Sequence, residues 1–135
     1  MIYLDANIFI YAALDKGEKA NSCKKILESV SLKKIAGFTS TLTWDEVVYS
    51  LKKHAPLEEV QIQSSLFLKL PNLVFLEPSL EIIEKAEELW LEYNLKPRDA
   101  IHAATAIINK INKIVSDDSD FDKIKELKRI KILSK

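Results

Sequence analysis

The sequence predicts a three-layer α/β domain: a mostly parallel central sheet of about five strands, covered on both faces by helices. Three observations carry this. Short apolar runs such as Met1–Leu4 and Leu73–Leu76 have the length and composition of buried strands. The longer segments between them place apolar residues at i, i+3, i+4 and i+7, the spacing of helices with one buried face. The chain has 135 residues, 47% hydrophobic and 30% charged, which suits one folded domain over 1–135 with a sizeable core and argues against disorder.

In order, Met1–Leu4 is the first strand, closed by Asp5. Asn7 is placed to cap a helix from Ile8 to Leu14, and Gly17 lies in the connection that follows. A second helix over Ala20–Val30 puts Ala20, Cys23, Leu27 and Val30 on one face, so Cys23 reads as a packed thiol. Ile35–Ser40 is the second strand. Trp44, Val47, Val48 and Leu51 mark a third helix, and Pro56 opens a fourth over Leu57–Leu70. Pro71 and Asn72 break the chain before the strand Leu73–Leu76. Ser79 opens a helix whose stripe is Ile82, Ile83, Ala86, Leu89, Trp90 and Tyr93. The next helix, from about Arg98, carries Ala100, Ala103, Ala104 and Ala106, small enough to approach a sheet closely. Lys113–Ser116 is a strand, Ser119–Leu127 a short helix, and Ile130–Leu133 the last strand.

Charge does not identify a partner. Lys and Arg total 20 and Asp and Glu total 20, without the basic excess that phosphate neutralisation favours. The lysines of Lys16–Lys34 and the acids of Glu77–Asp99 read first as solvated faces. No apolar stretch approaches the roughly 20 residues of a bilayer span. The first residues lack a basic leader, and Cys23 has no second cysteine to bridge to. Together these features predict a cytoplasmic protein without a membrane partner.

Several chemistries are excluded or disfavoured. With Gly17 and Gly37 as the glycines, neither a dinucleotide fingerprint nor a P-loop can be built. Cys23, His54 and His102 lack zinc-site spacing, and no nucleophile elbow is present. What remains is acid at the ends of elements: Asp5 after the first strand, Glu46 near the start of the third helix, Asp99 at the start of the alanine-rich helix, and Asp117, Asp118 and Asp120 after the fourth strand. In a parallel sheet these positions share the rim where ligands bind.

Each acid also has a local reading. Thr43 and Glu46 have capping-box spacing. Asp99 suits a helix dipole, Asp118 or Ser119 suits a cap, and Asp5 suits a turn. Gathered on one rim, however, carboxylates repel unless cations neutralise them. All-oxygen ligands favour Mg²⁺ or Mn²⁺, ions that activate water and stabilise charge on a phosphodiester.

Four segments in order, YLDANIFIYA, TLTWDEVVYSL, PRDAIHAATAI and VSDDSDF, resemble the signature blocks of PIN-domain ribonucleases, and the length suits the compact VapC-like toxins of toxin–antitoxin modules. The resemblance implies a Mg²⁺- or Mn²⁺-dependent endoribonuclease acting on RNA. Asp5, Glu46, Asp99 and Asp118 would be its catalytic acids, and Asp5, Asp99 and Asp118 its metal ligands. Glu46 would hold a second ion or orient water. Asn7 and Ser116 would support the cluster, with Asp120 and Asp117 as alternatives for the final acid. It also implies a homodimer, for which the apolar stretch Leu66–Phe75 is a candidate, and a small antitoxin partner. His102, three residues after Asp99, reads as a structural histidine or a neighbour of the site. Arg98 reads as a phosphate contact or a solvated arginine, and Trp44 and Trp90 as core or subunit contacts.

Two rival readings remain. One is a PIN-like scaffold that binds RNA or protein without cutting; retention of all four acids weighs against it. The other is a phosphoryl-accepting domain using Asp5. It needs a lysine at the end of a later strand, whereas Lys113 begins its strand.

Overall fold

The computed structural model describes residues 1–14 and 16–132. Strands β1 (Ile2–Leu4), β2 (Gly37–Ser40), β3 (Leu73–Leu76), β4 (Lys113–Val115) and β5 (Lys128–Ile130) form one sheet in the order β3-β2-β1-β4-β5. Every neighbouring pair is parallel. Parallel pairing requires crossovers. Helices α1 (Ala6–Leu14) and α2 (Glu18–Ser31) join β1 to β2, and α3 (Leu42–His54) and α4 (Leu57–Leu68) join β2 to β3. Helices α5 (Leu80–Tyr93) and α6 (Pro97–Ile108) then carry the chain back to β4. A 3₁₀ turn, Ser119–Lys123, leads on towards β5.

The two-residue period of a strand divides the core between the faces. Ile2 and Leu4 of β1 pack with Phe9, Cys23, Val30 and Val47, while Tyr3 packs with Leu89, Ala103, Ile114 and Phe121. The alanines of α6 let it lie close: Ala100, Ala103, Ala104 and Ala106 are all buried. Gly37 answers a similar demand on the other face. A Cβ there would lie 2.6 Å from Val30 Cγ2, so α2 crosses β2 at a distance no side chain at that position fits.

Several caps and boundaries differ from the sequence reading. Helix α1 begins at Ala6, and its first amide is held by Asp5 rather than Asn7: Ala6 N–H donates to Asp5 Oδ1 at 2.8 Å. The Thr43–Glu46 capping box does not form, because α3 already starts at Leu42. Thr43 instead shares a 2.8 Å hydroxyl bond with Thr39 of β2. The short helix after β4 is a 3₁₀ turn ending at Lys123, capped as foreseen by Asp118, whose Oδ1 accepts from Asp120 N–H at 2.9 Å. The last strand sits earlier, at Lys128–Ile130, where its pairing sets Arg129 against Ile114 and Ile130 against Val115. Leu133 of the expected strand lies outside the described residues.

No helix among the described residues is long and apolar enough to cross a membrane. Trp44 and Trp90 are half-exposed rather than core. In the Leu66–Phe75 stretch Leu66, Leu68 and Val74 face solvent while Phe67 is buried, in contact with Phe9 and Phe75.

The strand order decides where chemistry can sit. From β1 the chain leaves towards β2, and from β4 it leaves towards β5 on the opposite side. The carboxyl ends of β1 and β4 therefore flank the switch point at which open α/β sheets bind ligands.

Candidate metal centre

Asp5 and Ser116 are the first residues past these two adjacent strands. Their backbones continue the ladder: Asp5 N–H donates to Val115 O at 3.2 Å, and Ser116 N–H to Ile130 O at 3.2 Å. The two side chains meet, Ser116 Oγ–H donating to Asp5 Oδ2 at 2.7 Å. Ser116 Oγ in turn accepts Asp118 N–H at 3.0 Å, so one buried hydroxyl ties the β1 acid to the loop carrying the later acids. Asn7, the second residue of α1, donates at 3.4 Å to Ser116 Oγ and at 3.5 Å to Asp5 Oδ2.

Pro97 starts α6 and sets Asp99 in its first turn, which faces the Asp118 loop. Asp99, Asp118 and Asp120 bring one carboxylate oxygen each to within 4.8 Å of one another. Burial, followed by the negative charges of Asp118 and Asp5, pushes the Asp99 carboxyl up to about 7. Asp5 is also raised, chiefly by burial. Among the described residues neither Asp99 nor Asp118 forms an ion pair; Asp120 has Lys123 at 3.4 Å.

Among the described residues two buried side-chain polar atoms lack partners, Asp99 Oδ2 and Asn7 Oδ1. Buried acceptors are nearly always satisfied, and leaving a carboxylate oxygen bare is costly. Oxygen donors that converge, repel and include an orphan fit a hard divalent cation. The same residues open on a cleft of about 560 Å³ lined by Glu46, Lys96, Pro97, Arg98, Asp99 and Asp118.

Glu46, on the cleft-facing side of α3, reaches across to α6, where His102 Nε2 is bonded to its Oε1. His102 is fully buried, and its Nδ1 lies 2.6 Å from the Tyr3 hydroxyl. Nε2 is also 3.8 Å from Asp5 Oδ1. Burial pulls the imidazole pKa down, but the Glu46 bond and the Asp5 charge outweigh it, so it stands above its usual value.

The structure therefore brings together Asp5, Asn7, Glu46, Asp99, Ser116, Asp118 and Asp120, and turns Asp117 away. Asp117 Oδ2 accepts from Lys19 Nζ at 2.8 Å and from the Tyr11 hydroxyl at 3.0 Å, and this pairing holds its carboxyl below the usual range. Arg98 lines the cleft but also pairs with Asp45 at 3.2 Å. Lys113 is exposed at the start of β4, at the sheet end opposite Asp5, which leaves the phosphoryl-accepting reading without its lysine.

Two supports were not foreseen. Tyr3 had only the look of a core strand residue. Arg129 of β5 donates to Ser116 O at 3.2 Å while its other nitrogens hold Asp122, fixing the loop from behind. No local spacing announces either contact.

A model of the PIN domain matches residues 2–127. Ribonuclease VapC2 of Methanocaldococcus jannaschii is 32% identical, across 97% of this chain and 93% of its own length. Among solved structures, a toxin–antitoxin complex from Klebsiella pneumoniae contains a chain 26% identical, with a TM-score of 0.72 over 95% of this chain and 96% of that one. VapBC2 of Rickettsia felis, crystallised with a promoter DNA fragment, superposes with a TM-score of 0.77 at 24% identity, covering 97% and 98% of the two chains; at that identity the likeness speaks for the fold.

Proposed function

We propose, from the premise that this chain belongs to the PIN-domain family and its VapC-like ribonucleases, that it is a metal-dependent endoribonuclease and the toxin of a toxin–antitoxin pair. The observation that carries the reading is the Asp99–Asp118–Asp120 cluster with its bare Asp99 oxygen.

In this reading Asp5, Asp99 and Asp118 hold Mg²⁺ or Mn²⁺, joined by Asp120, whose carboxylate converges with those of Asp99 and Asp118. A cation bound there offers Lewis acidity to a phosphodiester that gathers negative charge. The chain's own residues do the rest. Ser116 and Asn7 keep Asp5 oriented, Arg129 keeps the acid loop in place, and Lys96 and Arg98 on the cleft wall attract the RNA backbone. Glu46, lining the same cleft, either orients the attacking water and accepts its proton or adds a ligand for a second ion; it counts with the other three as a catalytic acid. The whole chain, 1–135, acts as a single nuclease domain in the cytoplasm, as a homodimer met by a small antitoxin. Toxin–antitoxin complexes among structures of the same fold support that partner.

The test is cleavage of a mixed-sequence fluorescent RNA with Mn²⁺, with Mg²⁺ and with chelator, beside Asp5→Asn. Cutting that needs the cation and is lost in the variant supports the reading. Folded protein that cuts no RNA under any of these conditions points to the binding scaffold instead.

A further inference from the structure

We propose that His102 is a positioning residue for Glu46, locked by Tyr3 so that one carboxylate oxygen of Glu46 is fixed and the other is left for the cleft. The proposal rests on the nuclease reading above for the use made of Glu46, but the device itself lies in the fold. Three elements meet in it: Tyr3 from β1, Glu46 from α3 and His102 from α6. Separations of 99 and 56 residues are bridged by two side-chain bonds through one imidazole with no exposed surface.

The direction of the bonds follows from the donors. The Tyr3 hydroxyl is desolvated and stays protonated, since burial raises its pKa well above the ordinary phenol value. It donates to Nδ1 of a neutral His102, which places the ring hydrogen on Nε2, facing Glu46. If the ring takes a second proton, Nδ1 becomes a donor to the Tyr3 oxygen and Nε2 keeps its hydrogen. Either way Glu46 receives an N–H bond, so the positioning does not depend on the charge of the imidazole. A glutamate at a cleft mouth has three side-chain torsions to lose; a bond from a ring that cannot move removes that freedom before substrate arrives. The bond from His102 Nε2 to Glu46 Oε1 also explains why Glu46 fails to cap its own helix: its carboxylate is already engaged across the site.

The test uses three variants of the full chain and two readouts. His102→Leu removes the donor, His102→Gln keeps an amide N–H near the position of Nε2, and Tyr3→Phe removes only the hydroxyl, at less risk to folding. In RNA cleavage, His102→Leu should lose roughly 10–100-fold in kcat with KM little changed, the scale seen when a supporting partner is removed. His102→Gln should recover most of that, and Tyr3→Phe should fall between. In the metal-free protein, proton NMR should show a downfield His102 Nε2–H resonance that is lost in Glu46→Ala and kept in Asp120→Asn. The second readout needs no activity, so it decides the bond even if the wild-type protein proves not to cut RNA, an outcome that would sink the nuclease reading separately. Folded His102→Leu that cuts like wild type, Gln failing as badly as Leu, or a resonance indifferent to Glu46 would overturn the proposal.

Discussion

Asp117 and Asp118 are neighbours in the chain and opposites in the fold. Asp117 turns towards α1 and α2, where Lys19 and Tyr11 bond its carboxylate and hold its pKa down. Asp118 turns towards α6, where it meets Asp99 beside Asp120 of its own loop and raises the pKa of Asp99. The same contrast extends outward: Asp122 is paired with Arg129, while Asp99 keeps an oxygen without a partner. A paired acid is complete as it stands. An acid held among other acids, behind buried hydroxyls and amides, is stable only once something positive joins it. What separates Asp117 and Asp122 from Asp99 and Asp118 is thus whether the protein provides a cation of its own.

The largest effect that can break this contrast is on RNA cleavage. Asp118→Asn should lower the rate by at least about 100-fold, the scale of a group acting directly in the chemistry, whereas Asp117→Asn should stay within about threefold. Equal losses in the two variants would erase the distinction.

A smaller effect concerns stability against pH in metal-free protein. With a pKa near 7 in the fold against an ordinary 3.8, Asp99 holds a proton between those values that the unfolded chain has released. Its contribution therefore falls as pH rises through that window, and His102, also raised, loses stabilisation in the same direction. Urea unfolding should show a decline of about 1–2 kcal/mol from pH 5 to pH 8, allowing for water in the cleft. Asp99→Asn should flatten the decline and Mn²⁺ should reverse it. A curve flat in the wild type would mean the acids do not strain one another.

The smallest effect is that of the paired acid on the fold. Asp117→Asn should lower the urea midpoint only slightly and in a salt-dependent way, as partly exposed ion pairs do. Gly37→Ala sharpens the scale for comparison: its new methyl meets Val30 at 2.6 Å, and overpacking of that kind costs about 1–3 kcal/mol while leaving the acids untouched.

Much of this was legible in the sequence because periodicity reports burial directly. The alternating face of β1, the stripe of α5 and the alanines of α6 each repeat with the spacing of their element, and α4, β3 and α5 begin within a residue of where Pro56, Pro71 and Ser79 place them. The acids were legible as a group because the ends of parallel strands converge. The misreadings share one cause, local chemistry overridden by distant partners. Glu46 has capping-box spacing from Thr43, but Thr39 and His102 claim the two side chains. Ile130–Leu133 has the look of a strand, yet pairing with β4 selects Lys128–Ile130. VSDDSDF favours Asp118 over Asp117 only through the resemblance; what turns Asp117 away is Lys19 and Tyr11, about a hundred residues distant.

The most direct measurement is a calorimetric titration of Mn²⁺ into wild type, Asp117→Asn and Asp118→Asn at pH 8. Wild type and Asp117→Asn should bind the ion with similar affinity, and Asp118→Asn should lose at least about tenfold. Indistinguishable binding by the two variants, or none by the folded wild-type protein, would contradict the assignment of Asp118 as a ligand.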